Sequence, residues 1–378
     1  MILRVTWRRL LLGLAAAALA GLLVSYSGLI SIAASSGHLP PVGWFLHWTM
    51  QNAVRTQSLG IEPPPGIDLR DPALVRRAAG HFETGCAPCH GSPDLARNPV
   101  ILQMTPPPPP LAEKVPKWQS RELFWIVKHG VKYSGMPAWP APARDDEIWA
   151  MVAFLEALPD MDAASYRALA QGEEEGDATA GERVAGLDPI ARGRGDALSD
   201  CARCHGRDGR GAGEEGAFPV ISGQPEAYLY ATLQAYAAGE RGSGIMESAA
   251  ARRDEETLRE LAARFARERS PAAASDPHAA DLRARGEQIA SEGLPALGVP
   301  ACEACHGRPP GERNPHFPSL DGQHAWYTAT QLGLFKAGAR GGTAYAHIMT
   351  MIAAGLDEAS MAAVAAYYQS LERGAGSP

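Results

Sequence analysis

Residues 86–90 read CAPCH, and the same pattern returns as CARCH at residues 201–205 and CEACH at residues 302–306. The three pentads use all six cysteines of the chain, which leaves none for a disulfide or a free thiol. Two cysteines three positions apart lie on one face of a helix, about one turn from each other. Each pentad therefore offers two neighbouring thiols and an adjacent imidazole.

Three kinds of site contain a Cys-x-x-Cys pair. A zinc site combines two such pairs at close spacing, whereas these pairs begin at residues 86, 201 and 302, each in its own surroundings. A thioredoxin-like redox pair needs a βαβ context, and no strong parallel-strand pattern surrounds the pentads. The third kind is c-type haem attachment, in which both thiols bond to one haem and the histidine ligates its iron. The immediate histidine in every copy favours haem.

The sequence therefore predicts three covalently attached haem c groups. The cysteines expected to bind them are Cys86 and Cys89, Cys201 and Cys204, and Cys302 and Cys305. The histidines expected to ligate iron are His90, His205 and His306. Covalent haem attachment takes place in an exported compartment, so the same chain is expected to carry an export segment.

The N-terminus supplies such a segment. Three arginines precede Leu10–Ala34, which contains no charged residue and exceeds the about 20 residues that a spanning helix needs. We expect residues 1–34 to form a single-pass anchor in a bacterial inner membrane, with the arginines inside and the remaining chain in the periplasm. The alternative is a signal peptide that is cleaved near Ala33.

The composition excludes one class of partner and limits the number of domains. The chain has 378 residues, enough for two or three ordinary domains. Its net charge is −7 and it contains no long basic run, so no nucleic-acid partner is expected. We expect a juxtamembrane linker at residues 35–70 and domains at residues 71–161, 187–268 and 282–371.

Helix signals within the first domain predict an all-α fold. Asp71 is expected to cap a helix that begins at Pro72. The stretch SRELFWIVKHG predicts a helix capped by Ser120, and DDEIWAMVAFLEALP predicts a closing helix that begins at Asp145 or Asp146.

The second and third domains repeat each other. FPVISGQPEAYLYATLQAYAAG begins at Phe218 and FPSLDGQHAWYTATQLGLFKAG begins at Phe317, so their shared Phe-Pro, Gly-Gln, Tyr, Leu and Gly positions keep an offset of 99 residues. Each domain then ends in a capped helix, RDEETLRELAARFARE in one and LDEASMAAVAAYYQSL in the other. The two domains are therefore expected to share one fold.

A haem iron also needs a ligand opposite the histidine, and a filled position is typical of electron transfer. With every cysteine used for attachment, methionine is the next candidate. In the first domain we favour Met136, in YSGMPAWP, over Met104 beside the proline run.

In the second domain Met246 is the only methionine. It lies seven residues before Arg253, which directly precedes the acidic start of the last helix. In the third domain Met349 lies seven residues before the equivalent Leu356, whereas Met351 lies only five residues before Leu356. We therefore favour Met349. The other candidates in the third domain are histidines that have no equivalent in the second domain, namely His316, His324 and His347.

These features resemble known families over nearly all of residues 71–371. The two CxxCH repeats, the paired FP…GQ blocks and the methionine-then-helix endings resemble the diheme cytochromes c of the c-four type. The first domain, with CAPCHGSPD and GMPAWP, resembles membrane-anchored monohaem class I cytochromes c. Arg253 departs from the family pattern, in which an apolar residue is usual. The resemblance implies three class I cytochrome c domains in tandem and, for the second and third, haems close enough to exchange electrons.

We therefore expect a membrane-tethered periplasmic electron carrier with three haems. It would pass electrons between a respiratory donor and a terminal oxidase or another acceptor, with an oxidase, a quinol-oxidising complex or a dehydrogenase as redox partner. The alternatives are a cytochrome c subunit of a membrane-bound periplasmic dehydrogenase and a haem enzyme such as a peroxidase. An enzyme needs an open or replaceable iron site, and a methionine candidate in each domain argues against one.

Overall fold

The structure is a computed structural model that describes residues 6–171, 197–212, 216–268, 280–307 and 313–371. Within these ranges the regular secondary structure is helical, and Leu294 and Val299 form an isolated β-bridge. The predicted all-α class is confirmed.

The N-terminal segment forms two helices, α1 (Trp7–Tyr26) and α2 (Pro40–Gln57). Helix α1 has 20 residues, all exposed, and is long and apolar enough to cross a membrane. The helix ends at the Ser27 cap, before the end of the uncharged stretch Leu10–Ala34. Near its C-terminus α2 buries Val54, while Trp44 and Trp48 near its start are exposed.

The first domain begins with a capped helix, and its helices continue to Gln171. The Asp71 side chain accepts a hydrogen bond from the backbone N–H of Ala73, 3.0 Å away, and so caps the first helix. The domain's helices are α3 (Pro72–His81), α4 (Ala87–His90), α5 (Leu111–Lys114), α6 (Ser120–His129), α7 (Asp145–Ala157) and α8 (Ala163–Gln171).

Two details of this domain differ from the sequence prediction. Helix α6 is capped by Gln119 rather than Ser120, because Gln119 and Glu122 form a reciprocal capping box. Helix α8 lies beyond the predicted limit at residue 161, yet it belongs to this core. Its Tyr166 is fully buried and donates a 2.6 Å hydrogen bond to the Glu83 carboxylate.

The second and third domains have the same final helices. The second contains α9 (Ala197–His205), α10 (Glu226–Ala237), α11 (Gly244–Ala250) and α12 (Glu255–Arg267). The third contains α13 (Ala280–Glu292), α14 (Glu303–His306), α15 (Ala325–Lys336), α16 (Ala346–Ala354) and α17 (Glu358–Gln369). Asp254 and Asp357 cap the last helix of each domain through their side chains, which explains the acidic start that both sequences share.

The repeat also joins these two domains. Gln224 of the second domain exchanges two hydrogen bonds with the backbone of Ser319 in the third, both 2.8 Å long. Gln323 of the third exchanges two with Val220 of the second, both 2.9 Å long. All four residues are buried, so the Gly-Gln repeat forms a pseudo-twofold interface.

Candidate haem sites

Each cysteine pair lies at the end of a short helix. Cys89 and His90 lie on α4, directly after one turn of π-helix at Phe82–Cys86. The second pentad ends α9, and the third spans the start and end of α14. All six thiols are half-buried and none forms a disulfide. Each domain thus presents two thiols and an imidazole within one short helical segment.

Each of the three histidines forms an equivalent hydrogen bond to a proline carbonyl. In each, Nδ1 faces a proline carbonyl, at 3.0 Å from Pro109 for His90, 3.3 Å from Pro219 for His205 and 2.9 Å from Pro318 for His306. This bond orients the ring with Nδ1 as donor and leaves Nε2 for a metal. Burial also lowers the pKa of each imidazole, which keeps it neutral, as iron ligation requires.

The thiols have the opposite properties from those of a reactive or zinc-binding cysteine. Burial raises the pKa of Cys86 to about 12 and those of Cys201 and Cys302 to about 11. A redox or zinc-binding pair stabilises the thiolate instead. Within the described ranges, no three His, Cys, Asp or Glu side chains converge on a metal site. Burial therefore keeps Cys86, Cys201 and Cys302 protonated, unlike the thiols of a reactive redox pair.

In the second and third domains the methionine candidates lie in equivalent short helices. Met246 is on α11, and its N–H donates a 3.0 Å hydrogen bond to the capping hydroxyl of Ser243. Met349 is on α16, half-buried against two clusters of core residues. Met351, two positions further on, is 67% exposed. Met349 therefore lies on the core side of α16 and Met351 on its exposed side, and the ligand role of Met349 stays a prediction.

In the first domain the two methionine candidates lie next to each other. Met136 is half-buried, and its N–H donates a 3.2 Å hydrogen bond to the Ser134 hydroxyl. The methyl group of Met104 fills the space beside Gly135, where a side chain would begin. The ligand role of Met136 remains a prediction.

The three histidine alternatives differ in their surroundings. His316 and His347 are exposed, and the ring of His316 lies 6.0 Å from that of Tyr345. His324 packs beside Gly216 of the second domain, at the interface between the domains. None of the three histidines has a counterpart in the second domain, whereas Met349 corresponds to Met246.

Two arginines at the interface were missed by the sequence reasoning. Arg241 and Arg340 are also 99 residues apart, and each donates a 3.3 Å hydrogen bond to a tyrosine of the other domain, Tyr327 and Tyr228 respectively. In the described part of the chain, no carboxylate forms an ion pair with either guanidinium. Burial alone would raise the pKa of Tyr228, but the two arginines lower it to about 8.

A buried cation without a counter-ion is costly. A haem brings two propionate carboxylates, so these arginines fit the charge of the group that the cysteines would hold. The constant offset of 99 could have revealed them, because both arginines follow the Gly that closes the repeated block.

Arg253, the departure from the family pattern, also has a partner. Its guanidinium pairs with Asp200, the residue directly before Cys201. The segment that follows the Met246 helix is therefore fastened to the helix that carries the second cysteine pair.

Two family models match the chain. The model described as cytochrome c oxidase, cbb3-type, subunit III matches residues 73–155. The model described as cytochrome c matches residues 190–265 and 284–372. Together they cover all three CxxCH pentads.

Relatives and a solved structure match the C-terminal half. Cytochrome c4 of Azotobacter vinelandii is 36% identical, over 49% of this chain and 94% of the relative. A thiosulfate dehydrogenase electron acceptor of Thiomonas intermedia is 30% identical, over 44% of this chain and 76% of the relative. Reduced cytochrome c4 from Pseudomonas stutzeri has a TM-score of 0.42 and 33% identity, over 48% of this chain and 98% of that chain. The chain belongs to the cytochrome c family, with three covalently bound haem c groups and electron transfer as its function, and its last two domains are of the cytochrome c4 type.

Proposed function

We propose that this protein is a periplasmic electron carrier that is held at the bacterial inner membrane and keeps all three irons six-coordinate. The observation that carries the proposal is the repeated site, in which a histidine is fixed by a proline carbonyl and a methionine lies before α7, α12 or α17. The proposed iron ligands are His90 with Met136, His205 with Met246, and His306 with Met349.

The bound haem supplies one-electron redox chemistry. The residues of the chain fix the two thiols, hold each imidazole neutral and oriented, and surround the site with apolar side chains. Methionine as the second ligand raises the reduction potential. A filled second position also excludes substrates from the iron, which separates a carrier from a peroxidase.

The intact reduced protein is expected to bind carbon monoxide slowly at all three haems, because methionine must first leave each iron. The measurement is carbon monoxide recombination on fully matured, undamaged protein, together with its electronic and magnetic-resonance spectra. One haem that is high-spin and binds carbon monoxide rapidly and stoichiometrically would replace the carrier with an enzyme.

The proposed membrane attachment is supported by α1 and by the exposed aromatic residues of α2. No charged residue occurs from Leu10 to Val54, and Trp44, Phe45 and Trp48 are all exposed. Such rings are typical of the membrane interface. They would rest on the outer face of the membrane, while α2, in which Val54 is buried, contacts α6 of the first domain.

The mature protein is therefore expected to stay in the membrane fraction after alkaline carbonate extraction, and its intact mass should include α1. Placing lysine at Leu14, in the middle of α1, should weaken insertion, since a charge at that depth costs about 2.5–3.5 kcal/mol. The matched control is lysine at Ser36, outside the helix. A soluble mature chain that begins after Ala33 would instead identify a signal peptide.

The proposed acceptor is a terminal oxidase, because the first domain matches a family described as an oxidase subunit. As a second candidate function, the protein would accept electrons from a periplasmic dehydrogenase. Two relatives named as thiosulfate dehydrogenase electron acceptors favour this function. Stopped-flow oxidation by a purified oxidase and reduction by a thiosulfate dehydrogenase, measured on the same preparation, distinguish the two partners.

A further inference from the structure

A buried carboxylate of the first domain is hydrogen-bonded to the second domain. Glu147 on α7 is 4% exposed and accepts hydrogen bonds from the Ser243 hydroxyl at 2.5 Å and the Gly244 N–H at 2.8 Å. Arg144 pairs with Glu147 at 2.9 Å and donates a 3.0 Å hydrogen bond to the Gly242 carbonyl. Three consecutive residues at the start of α11 are therefore bound by α7 and the residue before it.

The same carboxylate also holds the methionine loop of its own domain. Trp139 lies three residues after Met136 and donates a 3.2 Å hydrogen bond from Nε1 to Glu147. Its indole packs directly over Gly244, two residues before Met246. The segments that carry the proposed ligands of the first and second domains thus share one buried anchor.

A second contact lies at the cysteines. Helix α3 passes so close to Cys204 that a side chain at Gly80 would begin 2.9 Å from the sulfur. From Gly80 the helix continues to Cys86, and the Thr84 hydroxyl donates a 3.3 Å hydrogen bond back to the Gly80 carbonyl. One continuous stretch of helix therefore connects the contact at Cys204 to a cysteine of the first domain.

Arg77, one turn earlier on α3, extends this contact. Its Nε donates a 3.1 Å hydrogen bond to the Ala217 carbonyl of the second domain, and its guanidinium lies 3.5 Å from the ring centre of Trp326 in the third. We infer that the contact between α3 and the second domain is an internal electron-transfer contact, at which electrons pass between the first and second domains beside Gly80 and Cys204. The inference rests on the proposed carrier function.

The physical reason is that electron tunnelling weakens steeply with separation and is better carried by bonded and packed atoms than by solvent. The second domain makes both interfaces, through Gly80 and Glu147 on one side and through the glutamine pair on the other. It would then be the relay between the membrane-proximal first domain and the third.

The test compares Gly80→Leu with Gly333→Leu in the full chain. Both glycines lie within helices, but no atom lies within 4 Å of a side chain begun at Gly333. After rapid photoreduction, Gly80→Leu should slow the re-equilibration of electrons between domains several-fold, because the leucine side chain must displace α3 from Cys204. Gly333→Leu should retain the original rate. Haem content, reduction potentials and carbon monoxide binding should be unchanged in both.

An unchanged rate in Gly80→Leu with all three haems present would overturn the contact. If that variant does not mature, Glu147→Gln decides instead, with Glu156→Gln on the exposed side of α7 as its control. Glu147→Gln should slow the same phase and Glu156→Gln should not; equal rates would overturn the inference. Rapid carbon monoxide binding by the unaltered protein would mark a failure of the proposed carrier function, independently of these rates.

Discussion

Replacing Met349 by alanine is expected to lower one of the three reduction potentials and open one iron, whereas Met351→Ala leaves all three sites unchanged. Met349 is half-buried between two core clusters, and Met351 is 67% exposed two positions further along α16. Because methionine ligation raises a haem potential, only the variant that loses the ligand should show a lower value.

Two measurements check this result. The absorption band that arises from methionine-to-iron bonding should lose one third of its intensity in Met349→Ala, and the reduced variant should bind carbon monoxide rapidly at one haem. Met351→Ala is the matched control, since it removes the same side chain from the same helix. The reverse outcome would show that the third domain does not follow the register of Met246 in the second.

The cysteine pentads and the helix caps were predictable because their physics is local. A covalent attachment site needs its thiols one turn apart, and a cap needs an oxygen near the first free N–H groups. Asp71 therefore caps α3 as predicted. The box at Gln119 was assigned one residue too late, because serine is the commoner cap by composition.

Contacts between domains could not be predicted in the same way. The offset of 99 residues shows that Gln224 and Gln323 are equivalent, but not that each reaches the backbone of the other domain. Glu147 looks like an ordinary acidic residue in the first turn of a helix, where it would favour the helix dipole. Its burial against Ser243 depends on how two separately folded domains meet.

The contribution of α8 to the core of the first domain could not be predicted for a related reason. Residues 163–171 have few large apolar side chains, so the segment offers little periodic signal. Its place in the core depends on Tyr166, whose ring lies among Phe82 and Phe154 and whose hydroxyl reaches Glu83. A single buried aromatic with a distant polar partner is a tertiary feature.

Gln224→Ala is expected to loosen the interface between the second and third domains far more than its size suggests. The side chain both donates to the Ser319 carbonyl and accepts from the Ser319 N–H, at 2.8 Å each. Its removal strips both of these bonds from a buried peptide group, and each lost partner costs about 1–3 kcal/mol. The loss in the free energy of unfolding should therefore be roughly 2–6 kcal/mol.

The control is Gln234→Ala, ten residues further along, where an exposed glutamine donates a 3.0 Å hydrogen bond to the Tyr230 hydroxyl. Exposed substitutions of this kind change stability by about 0.5 kcal/mol or less. Denaturant unfolding followed at the haem absorption, with limited proteolysis to show which domain separates first, measures both variants. Equal stabilities for the two would mean that the arginine–tyrosine pairs, rather than the glutamines, hold the interface. Because Arg241 and Arg340 would then depend on the haem carboxylates for their charge balance, the interface should weaken in protein that lacks haem.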